Sequence, residues 1–412
     1  MTREKPSKTG KFDAIIAGGG LAGLSMAACL GQSGLRALVI ERESREKLSA
    51  RAFDGRTTAL AYGSRRILES CGVWQRLAKD AGPIDDIRVK DQHSPRILDF
   101  LSRDAGNNPF GYVVDNTLFR LALFERVQEF PSIQLATECA ISAISQQNGC
   151  ADVTTQDGAV YEAPLLIAAD GRHSFCRKQA GIKTRNWSYN ETALVVTLKH
   201  EKPHHNLAIE NFYPGGPFAI LPMTDNRSGV VWTEKPALAE TLLALDEESF
   251  VALLAERGGA HLGKIRLASP RMLYPLRFMM ADDLWKDRTV LVGEAAHGMH
   301  PIAGQGFNLS LRDAAALGEL MEAAHAAGTD IGSPTLLQSY EGKRHMDHLT
   351  FMTTTDALVK LFSNNVPPIR WARQFGLGLV QHLPPAKKFF SRMAMGLLGE
   401  KTDSRAAHNA LK

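Results

Sequence analysis

Cysteine is scarce in this 412-residue chain: five thiols, Cys29, Cys71, Cys139, Cys150 and Cys176, with no CxxC pair and no regular spacing. That pattern excludes a disulfide framework and fits scattered buried thiols in a reducing compartment. No group of His and Cys has metal-ligand spacing, so no metal is expected. A strong charge of one sign is lacking too. The net is +4, too small to imply nucleic acid by itself, and none is expected as a partner. Long apolar runs are also missing. The uncharged stretch at residues 14–30, AIIAGGGLAGLSMAACL, contains four glycines and stops at seventeen residues, short of the roughly 20 apolar positions a spanning helix needs. About a dozen residues precede it, which leaves little room for a cleaved targeting sequence. There is no internal repeat and no low-complexity segment.

What remains is an ordinary soluble composition, 44% hydrophobic and 22% charged, in a chain too long for one simple core. One large domain or two interleaved domains are expected. The charge is unevenly placed: residues 360–412 carry +7, which leaves −3 for the rest.

Phe12–Ala17 (FDAIIA) is a short apolar, β-branched run that reads as a buried parallel strand. Gly18-Gly19-Gly20-Leu21-Ala22-Gly23 then fits G-x-G-x-x-G, a helical stretch follows to about Ser33, and a second apolar strand, Leu35–Ile40, ends at Glu41. Strand, glycine turn, helix, strand and acid together make a dinucleotide site. Gly18 permits the tight turn, Gly20 admits a pyrophosphate to the backbone, and Gly23 lets the helix lie on the sheet. The N–H groups of Leu21 and Ala22 face the phosphates at the positive end of the helix. Glu41 suits ribose hydroxyls and repels a 2′-phosphate, which leaves FAD or NAD.

Two later stretches narrow the choice. LLIAADGRHSFCRKQAGI (165–182) is a strand, an Asp170-Gly171 turn and a basic loop. In VLVGEAAHGMHPIAGQGFN (290–308) a third apolar strand, Thr289–Val292, ends at Gly293-Glu294. Pro301, Gly304, Gln305, Gly306 and Asn308 then lead to a helix expected from about Leu309. An acid at a strand end suits polyol hydroxyls, and glycines ahead of a helix let backbone N–H groups reach a flat polar ring edge. Those are the needs of a flavin's ribityl chain and ring. For His297 and His300, local packing or loop hydrogen bonding is the favoured reading over catalysis.

GGGLAG, the Asp170-Gly171 turn and GEAAHGMHPIAGQGFN, in this order and spacing, resemble class A FAD-dependent aromatic hydroxylases over nearly the whole chain. DGRTTAL (54–60), HPIAGQGFNLSLRD (300–313), LFSNN (361–365) and AMGLL (394–398) are similar to the branch that hydroxylates ubiquinone precursors. The resemblance implies that Gly18, Gly20, Gly23 and Glu41 hold the ADP half of FAD. It brings Arg56 and Arg120 to the cofactor and gives Asp170 and Gly171 a shared role toward FAD and nicotinamide. Gly304, Gln305, Gly306 and Asn308 fall under the flavin ring, and Pro301 lies beside the reacting substrate hydroxyl, orienting it through its backbone. Where the family usually has Gly-Asp before Ala-Ala-His, this chain has Glu294, which keeps the charge and moves it by about one bond length.

The expected fold is therefore α/β, with a Rossmann-like FAD-binding domain (1–83, 102–189 and 278–358) interleaved with an antiparallel-sheet substrate domain (84–101 and 190–277). A basic amphipathic helical tail (359–412) completes it. In the tail, Trp371, Phe375 and Leu379, then Phe389, Met393 and Leu397, recur every four residues beside Lys and Arg. Such helices can lie on an anionic membrane or pack on the body or a sister subunit; a polyprenyl substrate favours the membrane. The implied activity is hydroxylation of a polyprenylphenol with O2 and NAD(P)H, the latter bound transiently because no second G-x-G-x-x-G exists. The expected location is cytoplasmic, peripheral on the inner membrane. The rivals are a flavin-dependent reductase or dehydrogenase of the same fold, and a cofactor-free lipid-binding scaffold.

Overall fold

A computed structural model describes residues 11–92, 97–147, 149–301, 304–362 and 383–397. The fold is α/β with parallel and antiparallel sheets. Six strands form one sheet in the order Trp285–Lys286, Thr289–Leu291, Leu166–Ala168, Ala14–Ala17, Ala37–Ile40, Ile133–Ala136. All neighbours are parallel except the Trp285–Lys286 edge. The four inner strands read TVL, LIA, AIIA and ALVI and are buried throughout. Parallel strands covered on both faces need such unbroken apolar runs rather than alternation. In register, Ile15 sits between Leu166 and Leu38.

Helix Leu21–Gln32 lies against this sheet and against the long helix Gly306–Ala326. A Cβ on Gly318 would stand in ordinary contact with the Cys29 Cβ, at 3.4 Å, so the two helices lie close there. The long helix starts at Gly306, with Gln305 as its N-cap, three residues ahead of the start expected from sequence. Gly and Asn are poor interior helix formers, but in a first turn Asn308 has other work. Its Oδ1 accepts from Ala61 N at 2.8 Å, and its Nδ2 donates to the carbonyls of Ala59 and Gly304, both at 3.0 Å.

The second sheet has nine strands. Eight follow the order His297–Gly298, Met272–Ala281, Thr184–His200, Arg227–Glu234, Gly216–Met223, Leu207–Tyr213, Asp86–Asp91, Ile97–Leu101; Ile265–Leu267 pairs off this path with Thr184–His200. Pairing is antiparallel except between Leu207–Tyr213 and Asp86–Asp91, where chain from a distant part of the sequence is added at the edge. Alternation sorts the side chains onto two faces. Leu194, Val196, Phe218, Ile220, Val230 and Trp232 pack under the helices Pro236–Ala244 and Glu247–Leu254, around Leu242, Phe250 and Leu254. Phe218 meets Trp232 edge to face, centroids 5.4 Å apart.

The opposite face looks toward the nucleotide side. A Cβ on Gly82 would lie 2.6 Å from Met223 Cα, and one on Gly229 would lie 3.2 Å from Thr57 Oγ1. The small sheet Thr57–Ala61, Gly111–Asp115, Gly82–Ile84 therefore fills the space between the two large ones. Most of the 359–412 tail, including Trp371, Phe375 and Leu379, lies outside the described residues. Its helix Pro384–Ala394 packs inward: Met393 is buried with Phe278, Met299 and Leu309, while Phe389 is 46% exposed. Among the described residues no helix is long and apolar enough to cross a membrane.

Candidate active site

Three strand ends meet. Ala14–Ala17 runs into Gly18, which takes φ +101°, and a Cβ there would sit 2.6 Å from the Ala169 carbonyl oxygen at the end of the neighbouring strand. Only glycine satisfies both the left-handed turn and this approach. A Cβ on Gly23 would overlap Gly18 O at 1.8 Å, so the first helix turn presses directly on the glycine turn. The third strand joins from the other side: a Cβ on Gly293 would lie 3.1 Å from the Ala22 Cβ. Gly18, Gly20, Leu21, Ala22, Gly23, Asp170, Gly171 and Glu294 are thus placed around one helix N-terminus.

The space and polarity there fit an FAD. Cβ atoms built on Gly20 and Gly171 would meet nothing within 4 Å, and the first N–H groups of the Leu21–Gln32 helix have no intrahelical acceptor. Asp170 caps the next turn, its Oδ2 accepting from Cys176 N at 3.0 Å, while its buried Oδ1 has no partner. Burial, helped by the Asp170 charge, pushes the Cys176 thiol far up, so it stays protonated beside the turn. Arg177 ties the Asp170 loop to the third strand's turn, donating to Ala295 O at 2.7 Å and to Arg172 O at 2.8 Å. Arg172 in turn stands 3.8 Å from Glu294.

Glu41, 8% exposed, accepts backbone N–H groups from Gly19 and from Glu43 (2.9 Å); a carboxylate has further lone pairs for ribose hydroxyls. Arg56 pairs with Asp54 at 2.6 Å. Burial alone would raise the Asp54 carboxyl, but hydrogen bonds from Arg56, with Arg120 adding its charge, hold it below its usual value. Arg120 itself donates to Leu48 O at 3.2 Å. The two arginines therefore share one acidic neighbour at the cleft rim.

The 300–308 segment closes the other end. Pro301 is exposed, and its carbonyl accepts from Gly304 N at 2.8 Å. Gly304 takes φ +61°, and a Cβ there would press on the Ala59 Cβ at 2.9 Å. Gly306 makes no such demand: its backbone is helical, with the nearest atom to a built Cβ at 3.6 Å. Gln305 reaches Ala394 O at 3.3 Å, which joins the segment to the C-terminal helix.

Behind the segment lies a polar hub that sequence reasoning missed. The Asp313 carboxylate, fully buried, accepts from Gly293 N (3.1 Å), His297 Nε2 (2.9 Å), Arg344 Nε (2.7 Å) and His348 Nε2 (2.7 Å). Burial would raise its pKa; His348 and Arg344 charges more than reverse this and hold it well below the usual range. Burial also pushes His348 down. Tyr340, Arg344 and His348 recur every four residues on helix Pro334–Phe362, a buried polar stripe that could have flagged the hub. His300 is separate, 3.4 Å from Glu191 and edge-on to Tyr189. The donor atoms of His297, Asp313 and His348 lie within 4.8 Å of one another, near enough for one metal ion. Arg344 already places a positive charge on the same carboxylate, which opposes a second cation.

Fold and cleft together define a dinucleotide-binding α/β protein whose nucleotide site opens onto a second sheet. More closely, the chain belongs to the FAD binding domain family, whose profile matches residues 11–352. It is 43% identical over 403 residues to the ubiquinone hydroxylase UbiL of Rhodospirillum rubrum, covering 96% of this chain and 94% of that one. The 3-demethoxyubiquinol 3-hydroxylase of Escherichia coli K12 is 29% identical over 93% of this chain and 98% of its own length. In fold it is similar to the p-nitrophenol 4-monooxygenase PnpA of Pseudomonas putida DLL-E4, with TM-score 0.78, 19% identity, and coverage of 95% of this chain and 100% of that one.

Proposed function

We infer that this chain is an FAD-dependent monooxygenase that hydroxylates the aromatic ring of a polyprenylphenol intermediate in ubiquinone biosynthesis, using NAD(P)H and O2. The end-to-end match to the R. rubrum ubiquinone hydroxylase carries the reading. When bound, FAD would supply the redox chemistry that links nicotinamide oxidation to oxygen transfer. The protein has to bind, orient and keep water out.

Those tasks divide along the geometry. The amides of Leu21 and Ala22, beyond the glycines at 18, 20 and 23, hold the pyrophosphate; Glu41 takes ribose hydroxyls; Arg56 and Arg120 add positive charge at the rim. Asp170, whose inner oxygen lacks a partner, and Gly171 serve both FAD and the nicotinamide, and Glu294 accepts from ribityl hydroxyls. Gly304, Gln305, Gly306 and Asn308 support the ring, and the Pro301 backbone orients the phenol. The second sheet, built mainly from 84–101 and 190–277, roofs the ring as the substrate half. Working in the cytoplasm, the protein meets its bilayer-borne substrate at the inner membrane through the basic 359–412 tail. Lys388 and the exposed Phe389 support that contact.

Incubation of the FAD-loaded protein with a farnesylphenol, NAD(P)H and isotopically labelled O2 tests the function. One labelled oxygen in the ring product is expected, and an unlabelled product refutes it.

A further inference from the structure

The face of the large sheet that looks toward the nucleotide side carries an acid, Glu210, among apolar neighbours. Strand Leu207–Tyr213 alternates, so Ala208, Glu210 and Phe212 share that face. In register, Glu210 lies between Val89 on one neighbouring strand and Ala219 on the other. Ala208 packs with Met223 and Met395, and Phe212 packs with Val359 and Tyr189. Both clusters reach the flavin-loop segment: Tyr189 also touches the Met299 and Leu309 group, and Met393, two residues from Met395, belongs to it. Glu210 therefore stands on the chamber wall with small alanines along and across the sheet.

Its surroundings leave it without a partner. No hydrogen bond or ion pair links Glu210 to a described residue, and no neighbouring charge shifts it; burial alone pushes its carboxyl up to about 7. Its side chain is half-buried. The charged groups on the surrounding elements are engaged elsewhere. Asp91, on the same face of the adjacent strand, is buried with a partner of its own. Strand Gly216–Met223 has no ionisable side chain. Arg88 pairs with Asp99, Lys360 with Asp356, and Lys387 with Asp104; Arg392 donates to Leu397 O, and His204 bonds to Met223 O. Of the phenols nearby, Tyr189 donates to Asp356, and Tyr62 packs with the Met395 cluster. A half-buried carboxyl with no protein donor is partly desolvated without compensation, and a ligand hydroxyl would supply the missing donor.

We propose that Glu210 accepts the hydrogen bond, and then the proton, of the substrate's ring hydroxyl. The phenol O–H bond breaks, a carboxyl O–H bond forms, and the electron pair stays on the phenolate oxygen, where it enriches the ring for electrophilic attack. No redox partner takes part in this step. The proposal rests on the hydroxylase reading for its substrate, and binding tests it apart from turnover.

The test uses the full-length FAD-loaded protein with 2-farnesylphenol and its methyl ether, which lacks the donor. Wild type is expected to bind the phenol at least about tenfold tighter than the ether, a typical hydrogen bond to a charged acceptor being about 1.5–3 kcal/mol. That preference should grow as pH rises through about 7. Glu210→Leu should lose the preference while keeping its flavin, and Glu210→Gln should keep part of it without the pH dependence. Equal binding of the two ligands by wild type overturns the proposal. So does an undiminished preference in Glu210→Leu, or a preserved pH limb in Glu210→Gln, which also serves should the leucine variant fail to fold. Oxygen-label incorporation in wild type reports separately on the hydroxylase reading.

Discussion

Asp313→Asn removes the charge at the centre of the polar hub and is expected to cost more stability than its distance from the cleft suggests. The carboxylate takes four donors, and one of them, Arg344, is itself buried, 4% exposed. Breaking a buried ion pair by removing one partner costs about 3–5 kcal/mol, because the remaining charge is left in a low-dielectric interior. Arg344 keeps Asp347 as a second partner, and asparagine keeps one acceptor oxygen, so the lower end, about 3 kcal/mol, is expected. The acceptor lost to Gly293 N and His297 matters for the cofactor, since Gly293 precedes Glu294 at the third strand's end. A urea midpoint followed by far-UV circular dichroism, and the FAD retained after gel filtration, should fall together. Acid behaviour has a definite sign. The depressed Asp313 pKa gives stability that is complete above the unfolded carboxyl value of about 3.9 and is lost as pH falls through the lower folded value. His348, pushed down by burial, likewise favours the fold above about 6.5 and withdraws that support on acidification. Wild type should therefore weaken below about pH 6.5, and the variant should lose the lowest-pH part of that dependence. A variant within about 1 kcal/mol of wild type, with full flavin, would refute the hub's role.

Gly18→Ala should yield a colourless, flavin-free protein: its Cβ meets Ala169 O at 2.6 Å, at φ +101°; normal flavin absorbance in the purified variant contradicts this. Gly304→Ala should destabilise the apoprotein by about 1–2 kcal/mol for the left-handed backbone, with added pressure on Ala59, whereas Gly306→Ala, helical and uncrowded, should leave it unchanged or up to about 1 kcal/mol more stable. Equal melting temperatures for the two apoproteins would count against the loop geometry. Met395→Ala, at a site 2% exposed, should cost about 2–5 kcal/mol and open the chamber to water, so hydrogen peroxide release per NAD(P)H should rise; coupling equal to wild type would deny this residue a place in the wall.

The nucleotide cleft was legible because its signals are local. A glycine turn of forced conformation, a following helix and an acid at the next strand end lie within thirty residues, and each has a backbone reason readable from residue type. The second and third strand ends could be read only as strands with odd turns. Their adjacency to the first is a matter of sheet order, which periodicity does not encode. The helix begins three residues before its sequence pattern indicates because Gly306 and Asn308 are loop-type residues by composition, whereas Asn308 bonds to Ala59 and Ala61, nearly 250 positions away.

Through-space chemistry was hidden for the same reason. Asp313 sits in an unremarkable Arg-Asp pair, and its partners arrive from Gly293, His297 and a helix thirty residues later. Glu210 was invisible for a different cause. In a strand reading LAIENFY a glutamate normally faces water, and only the covering of both sheet faces, by two helices on one side and the nucleotide half on the other, turns it inward. The tail shows the limit of periodicity most directly. Phe389 and Met393 lie on one four-residue stripe, yet the first is exposed and the second buried. The stripe says that this helix has an apolar side. Gly63 N bonding to Met395 O at 2.8 Å and Gln305 reaching Ala394 O decide what that side meets. Those bonds hold the C-terminal end of the helix against the body, so any membrane contact has to use its earlier turns, where Phe389 is exposed.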